Sequence, residues 1–251
     1  MIVKPITMAV MKPPQDDLLI KIKRARLHLR EGDVVAVTSK VVSIWEGRCI
    51  SETQTTKDEL VKKEAALYLE RKHTPGGHAL HTITKGIFMR SAGVDASNGN
   101  GYFILWPKNP QKSVDGLLRW FKKEYKIKNL GLVITDSRSI PLRRGAIGFA
   151  LAYAGFAPIY DYRGKPDIFG RKLKVSQANI ADALAAAAVL VMGEGNEQTP
   201  LAIIRGAPHI QELRTKNLKR TTKHNSLIVP FNEDVYKPFL KSVYWKKGGG
   251  F

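Results

Sequence analysis

Leu130-Gly131-Leu132-Val133-Ile134-Thr135-Asp136-Ser137 is a short apolar run that delivers an aspartate at its carboxyl end. Leu130 to Thr135 predicts a buried strand, rich in branched residues and free of charge. A second stretch of that kind, Asp33 to Ser43, carries Val34, Val35, Val37, Val41 and Val42 and predicts another strand. Shorter strands are expected over Phe103 to Trp106, ended by Pro107, and over Leu201 to Ile204.

Helices are predicted between these strands. Asp16-Asp17 opens an amphipathic segment from Leu18 to Leu29, with Leu18, Leu19, Ile22 and Leu29 buried and Gly32 beyond its end. Thr56-Lys57-Asp58-Glu59 matches a capping box and starts a helix from Lys57 to about Arg71. Asn109-Pro110 caps a helix whose apolar face is Val114, Leu117, Leu118 and Phe121, and Ser176 caps Ala178 to Met192, closed by Gly193. Ala146 to Phe156 fits helix or strand, His73 to Thr84 reads as a loop, and Ser226 to Trp245 holds one strand and one short helix. Strands and helices alternate unevenly, which predicts an α/β or α+β fold rather than a tidy doubly wound sheet.

Composition narrows the functional classes. The 251 residues are 43% hydrophobic and 25% charged, ordinary for a soluble domain, but 41 Lys and Arg face 22 Asp and Glu for a net charge of +19. That surplus attracts polyanions such as nucleic acid, nucleotides or phosphorylated metabolites, and a well-solvated lysine surface accounts for it equally well. The single cysteine, Cys49, allows no internal disulfide and no cysteine metal cluster. Met1 to Asp17 has no apolar signal core, and Ala183 to Met192 is too short to span a bilayer, so a cytoplasmic protein is expected.

No phosphate-binding loop, dinucleotide fingerprint or nucleophile elbow occurs. A nucleotide would be held by metal and scattered cations. Asp95, in Ser91-Ala92-Gly93-Val94-Asp95-Ala96-Ser97-Asn98, and Asp136 each sit among small and hydroxyl residues, and Glu194 lies in a glycine-flanked turn. Three such carboxylates suit hard divalent cations that bridge phosphate oxygens. Taken singly, Asp136 reads as a cap or turn former and Asp95 as an Asx-turn residue. Lys40, within a strand of valines, points to a phosphate or to solvent. Asp161-Tyr162-Arg163-Gly164-Lys165 and Gly170-Arg171 suit anion forks or surface ion pairs. His78 and His81 have a helical metal spacing beside Gly76-Gly77, where a helix is not expected. Leu213 to His224 is basic without aromatics and reads as a solvated loop.

Together these motifs resemble the coenzyme F-420 gamma-glutamyl ligase family. The resemblance runs through Thr38-Ser39-Lys40-Val41-Val42-Ser43, Glu46-Gly47-Arg48, Ala92 to Asn98, Ile134-Thr135-Asp136, Pro141, Arg143, Gly145, Asp161, Arg163-Gly164, Asp167, Gly170-Arg171, Ala185-Ala186-Ala187, Met192-Gly193 and Arg205-Gly206. It implies a ligase-like domain over residues 1–206, with 207–251 a basic C-terminal extension packed on it, and the family's α+β fold in an intertwined homodimer. The implied reaction joins L-glutamate to an anionic carboxylate acceptor, a deazaflavin or a folate-like molecule, through an acyl phosphate. GTP and Mg²⁺ or Mn²⁺, as two ions, would serve it. By resemblance Asp95, Asp136, Ser137 and Glu194 bind metal, and Asp95, Asp136 and Lys40 are catalytic. Met11, Lys12, Thr38, Ser39, Lys40, Asn98, Gly193 and Glu194 contact the nucleotide. Serine stands at 137 where relatives carry threonine, and glutamate at 194 where they carry glutamine. The loop Ser137-Arg138-Ser139-Ile140-Pro141-Leu142-Arg143 departs from the family at the place where the acceptor would be chosen. A nucleic-acid-binding protein on the same scaffold and a metal-dependent phosphohydrolase are the alternatives; no membrane partner is expected.

Overall fold

The computed structural model describes residues 1–210 and 226–250, so the predicted basic loop Leu213 to His224 lies outside the described residues. In chain order, β1 (Ile2–Ile6), α1 (Leu18–Arg24), β2 (Val34–Thr38), α2 (Ser39–Trp45), β3 (Cys49–Ser51) and α3 (Lys57–Glu64) come first. Next are β4 (Leu67–Leu69), β5 (His81–Thr84), β6 (Ile87–Arg90), β7 (Tyr102–Ile104), α4 (Pro110–Tyr125), β8 (Gly131–Arg138) and β9 (Ile147–Ala154). The chain continues through β10 (Ile159–Asp161), β11 (Gln177–Asn179), α5 (Ile180–Met192), β12 (Leu201–Arg205), α6 (Lys237–Lys241) and β13 (Lys246–Lys247).

A five-stranded sheet in the order β1-β12-β2-β8-β9 organises the molecule. Only β2 and β8 pair in parallel within it; the other neighbours are antiparallel. Val35 and Val37 of β2 pack with Leu132 and Ile134 of β8 against Leu18 and Ile22 of α1, Val41 and Val42 of α2, and Phe121 of α4. Val34, Ala36 and Val133 turn the opposite way, onto Ala181, Leu184, Ala185 and Ala188 of α5. The central strands are thus covered on both faces, which is why they read as unbroken apolar runs. A smaller sheet, β13-β4-β5-β6, stands apart from the first, and the C-terminal residues reach it through β13. The fold is mixed α+β.

Several expectations hold. The Thr56 capping box forms in full, Asn109 caps α4, and Val114, Leu117, Leu118 and Phe121 are buried. Others are corrected. The strand expected to Ser43 stops at Thr38, and α2 follows, burying Val41, Val42 and Ile44; a short apolar run fits either element until packing chooses. Lys40 is therefore a helical residue. The helix predicted to Arg71 ends at Glu64, because Leu67–Leu69 pairs with β5 and Arg71 turns back to Asp58 at 2.7 Å. The first helix ends at Arg24 rather than Leu29, leaving Leu19 and Leu29 only half-buried. Asn179, not Ser176, caps α5, since Gln177–Asn179 is held as a strand by β10. Ala146 to Phe156 resolves as strand β9. The predicted loop His73 to Thr84 contains β5, and the N-terminal β1 had no counterpart in the sequence reading.

Candidate functional site

β8 does not stop at Asp136 but runs on to Arg138, with a register shift between Ile134 and Thr135 as it pairs with β9. Such an irregularity re-aims the side chains that follow it. Asp136 and Ser137 thereby face a cleft of about 330 Å³. Thr38 ends β2 on one wall, Lys40 rises from the first turn of α2, and Asp95 to Asn98 cross from the loop after β6. The C-terminus of α5 brings Met192, and the turn behind it brings Gly193 and Glu194.

Backbone geometry sets these positions. Ser91 and Ala92 adopt φ of 60° and 50°, and Gly93 follows at 74°. A Cβ at Gly93 would strike the Trp106 indole, so glycine there lets the ring lie flat on the chain. The ring in turn aims its Nε1–H at the Asp136 carboxylate, Oδ2 accepting. Asn98, itself at φ 57°, donates from Nδ2 to the Gly195 carbonyl at 3.0 Å and ties the Asp95 loop to the turn after α5. Ser137 Oγ donates to Glu194 Oε2 at 3.0 Å and ties β8 to the same turn.

The two aspartates are charged differently. Burial works against the Asp95 carboxylate, but the Lys40 ammonium at 2.8 Å and the Ser97 amide and hydroxyl at 2.9 and 2.7 Å outweigh it. Its pKa falls below the usual 3.8. Burial dominates at Asp136 and lifts its pKa to about 6, although the Trp106 indole and the Ser137 amide at 2.8 Å favour the charged form. The Asp95 charge pushes Asp136 further up, while Lys40 opposes that effect. One carboxylate is compensated and the other waits for positive charge.

Of the residues singled out from sequence, Met11, Thr38, Lys40, Asp95, Asn98, Asp136, Ser137, Gly193 and Glu194 all line this cleft. Ser39 is buried beneath it, and Lys12 is exposed, its backbone amide donating to Asp16 at 2.8 Å; neither is among the lining residues. His81 is not brought to a metal: it stacks on Phe88 with ring centroids 5.9 Å apart, and burial lowers its pKa. Asp161 and Arg163 close on each other at 2.6 Å as an exposed ion pair. Among the described residues no group of three or more His, Cys, Asp or Glu side chains stands preassembled around a point. A cation here would draw on Asp95 and Asp136 first, with Ser137 and Glu194 within reach of the same cleft.

Three contributors escaped the sequence reading. Ser97 accepts the Lys40 ammonium with its hydroxyl and its carbonyl, each at 2.9 Å, and its place two residues after Asp95 was the available signal. Glu197 lines the cleft and accepts the Gly195 amide at 2.8 Å. Trp106 had no signal, because only tertiary structure brings an indole to an aspartate 30 positions away.

A mixed α+β scaffold gathers carboxylate, hydroxyl and ammonium groups on one cleft, the chemistry of a candidate enzyme site. Residues 11–206 match the F420-0:gamma-glutamyl ligase family. The coenzyme F420:L-glutamate ligase of Methanocaldococcus jannaschii is 31% identical over 233 residues, covering 85% of this chain and 88% of that protein. The protein of the same name from Methanopyrus kandleri is 34% identical over 219 residues, 81% of this chain and 86% of the relative. That from Methanococcus maripaludis reaches 36% over 194 residues, 72% and 78% of the two chains. The chain belongs to the F420-0:gamma-glutamyl ligase family and is an amide-bond-forming ligase.

Proposed function

We propose that this ligase joins L-glutamate through its amine to a carboxylate acceptor, with GTP as the activating nucleotide. A carboxylate resists attack by an amine at neutral pH. Transfer of the γ-phosphoryl to the acceptor gives an acyl phosphate and GDP; the glutamate amine then displaces phosphate and leaves an amide. The observation that carries this reading is the facing of Lys40, Asp95 and Ser97 against Asp136, Ser137 and Glu194 across one cleft in a chain of this family.

Lys40 would exchange Asp95 for a phosphate oxygen, since both are anions within the sweep of one flexible ammonium. Asn98 and the turn from Gly193 would shape the nucleotide pocket, with Thr38, Ser39, Met11 and Lys12 at its margins. The donor set fits one or two Mg²⁺ or Mn²⁺ ions: its oxygens are hard, and the raised Asp136 marks a carboxylate short of positive charge. A divalent ion held there by Asp95, Asp136, Ser137 and Glu194 would neutralise charge developing on the transferred phosphoryl. The relatives' names indicate a deazaflavin acceptor, whereas the divergent loop after Ser137 leaves a folate-like acceptor as the competing choice. The same reading includes a homodimer, supported by the strongly exposed Leu142, Ile168, Phe169 and Leu190, apolar residues a monomer gains nothing by presenting to water.

The test is GDP release with GTP, Mn²⁺, L-glutamate and either a deazaflavin or a pteroyl acceptor, for wild type and Asp136→Ala. Release that requires both co-substrates and vanishes in the variant supports the proposal. Equal release without glutamate makes the protein a phosphohydrolase, and an unaffected variant removes Asp136 from the site. Sedimentation of wild type against Phe169→Asp tests the dimer.

A further inference from the structure

β1 and β12 run from the candidate active site to a second cleft at their far ends. Met8 and Met11, just after β1, and Thr199, just before β12, line the first cleft; Lys4, Ile6, Ile203 and Arg205 line the second. Lys4 stands opposite Ile203 in the antiparallel register, and Ile2 opposite Arg205, so these side chains share one face of the sheet. The turn after α1 adds Arg26 and His28 to its lining, and the cleft has a volume of about 410 Å³.

Its chemistry is one-sided. Among the described residues Lys4, Arg26, His28 and Arg205 line the cleft, no acidic side chain does, and the rest of the lining is apolar. Arg205 is fixed in place. Its Nε and Nη2 donate to the two oxygens of buried Asp33 at 2.9 and 2.7 Å, and Nη2 also donates to the His28 carbonyl at 3.1 Å. Asp33 is held in turn by the Arg30 amide at 2.8 Å. The guanidinium is thus oriented before any ligand arrives, and its Nη1 edge has no hydrogen-bond partner among the described residues. The side chains of Lys4 and Arg26 likewise make no hydrogen bond or ion pair among the described residues.

Asp33 offsets the charge of Arg205, but Lys4 and Arg26 stand over the apolar floor with no ion pair among the described residues, and an anion would relieve their mutual repulsion. A pre-oriented guanidinium beside free ammonium and guanidinium groups favours a doubly charged phosphate over a single carboxylate. The volume suits a small molecule rather than a polymer. We propose that this cleft binds a small phosphomonoester with an apolar body, separately from the Asp95–Asp136 cleft.

The test is isothermal titration of the full chain at low ionic strength with phenyl phosphate, beside guanosine 5′-monophosphate, inorganic phosphate and benzoate. Wild type should bind phenyl phosphate, with benzoate weaker, and Lys4→Ala/Arg26→Ala should weaken it by at least about tenfold, while Asp136→Asn leaves it unchanged. Guanosine 5′-monophosphate tighter than inorganic phosphate, with the same loss in the double variant, identifies a nucleotide-sized ligand. If inorganic phosphate binds as tightly as either ester, the apolar floor contributes nothing and the phosphomonoester assignment fails. Both substituted side chains are exposed, and an unchanged melting temperature without ligand verifies the fold. Arg205 is left intact because its loss would strand the buried Asp33. Equal affinity in the double variant, loss of binding in Asp136→Asn, benzoate as tight as phenyl phosphate, or no binding by wild type at millimolar concentration would overturn the proposal.

Discussion

The Asp95 loop and the β8 strand carrying Asp136 border the same cleft and treat the same functional group in opposite ways. The loop solves its electrostatics locally: Lys40 and Ser97 surround the carboxylate and hold its pKa below 3.8. The strand does not. Asp136 emerges from a run of fully buried residues, has one indole and one amide as donors, and titrates near 6. A pair of carboxylates pushed apart in this way divides the labour of a site: one has its charged form favoured by Lys40 and Ser97, the other is the place where added positive charge gains most.

That contrast can be broken at either end. The largest effect is expected from Asp136→Ala, which should lower GTP- and glutamate-dependent turnover by at least ~10³-fold, measured as kcat at saturating co-substrates. Lys40→Gln should cost about 10²-fold in kcat/KM for GTP and raise the Asp95 pKa, with Lys40→Arg partly restoring turnover; equal activity in all three would detach Lys40 from the nucleotide. Removing the indole donor with Trp106→Phe should move the acid limb of the pH–rate profile upward, because a hydrogen bond to the charged form of Asp136 is lost.

The smallest effect concerns stability. The folded-state pKa of Asp136 lies above its unfolded value, so the protonated form favours the fold; that contribution is complete below about pH 4 and lost as pH rises through about 6. Asp136→Asn, neutral throughout, should therefore be more stable than wild type by about 3 kcal/mol at pH 8 in chelator and close to it at pH 4. Thermal melts at the two pH values check this. A matching gain at pH 4 would show that packing, not charge, separates the two proteins.

How much of this was legible in sequence follows the range of the forces involved. Capping chemistry is local, and Thr56 with Glu59 and Asn109 with Pro110 marked the helix starts at α3 and α4. The amphipathic face of α4 was equally readable, because periodicity survives in a 16-residue helix. The valines at 41 and 42 misled, since a β-branched run of that length is compatible with either element and only the core beneath α2 decides. Likewise Leu67–Leu69 became a strand through pairing partners distant in the chain. Asp95 and Asp136 could each be picked out by their small and hydroxyl neighbours, but single residues of that kind are commonest in turns.

The sequence by itself determined the family, the mixed α+β class that it implies, the existence of two central apolar strands, and the residue types from which the site is made. These follow from short-range pattern and from the order of motifs along the chain. Only the tertiary structure decided that nine of those residues share one cleft, that Lys40 pairs with Asp95, and that the Trp106 indole donates to Asp136. The physical reason is that a pKa depends on burial and on neighbours that the chain brings from 30 or more positions away, and no local pattern encodes either.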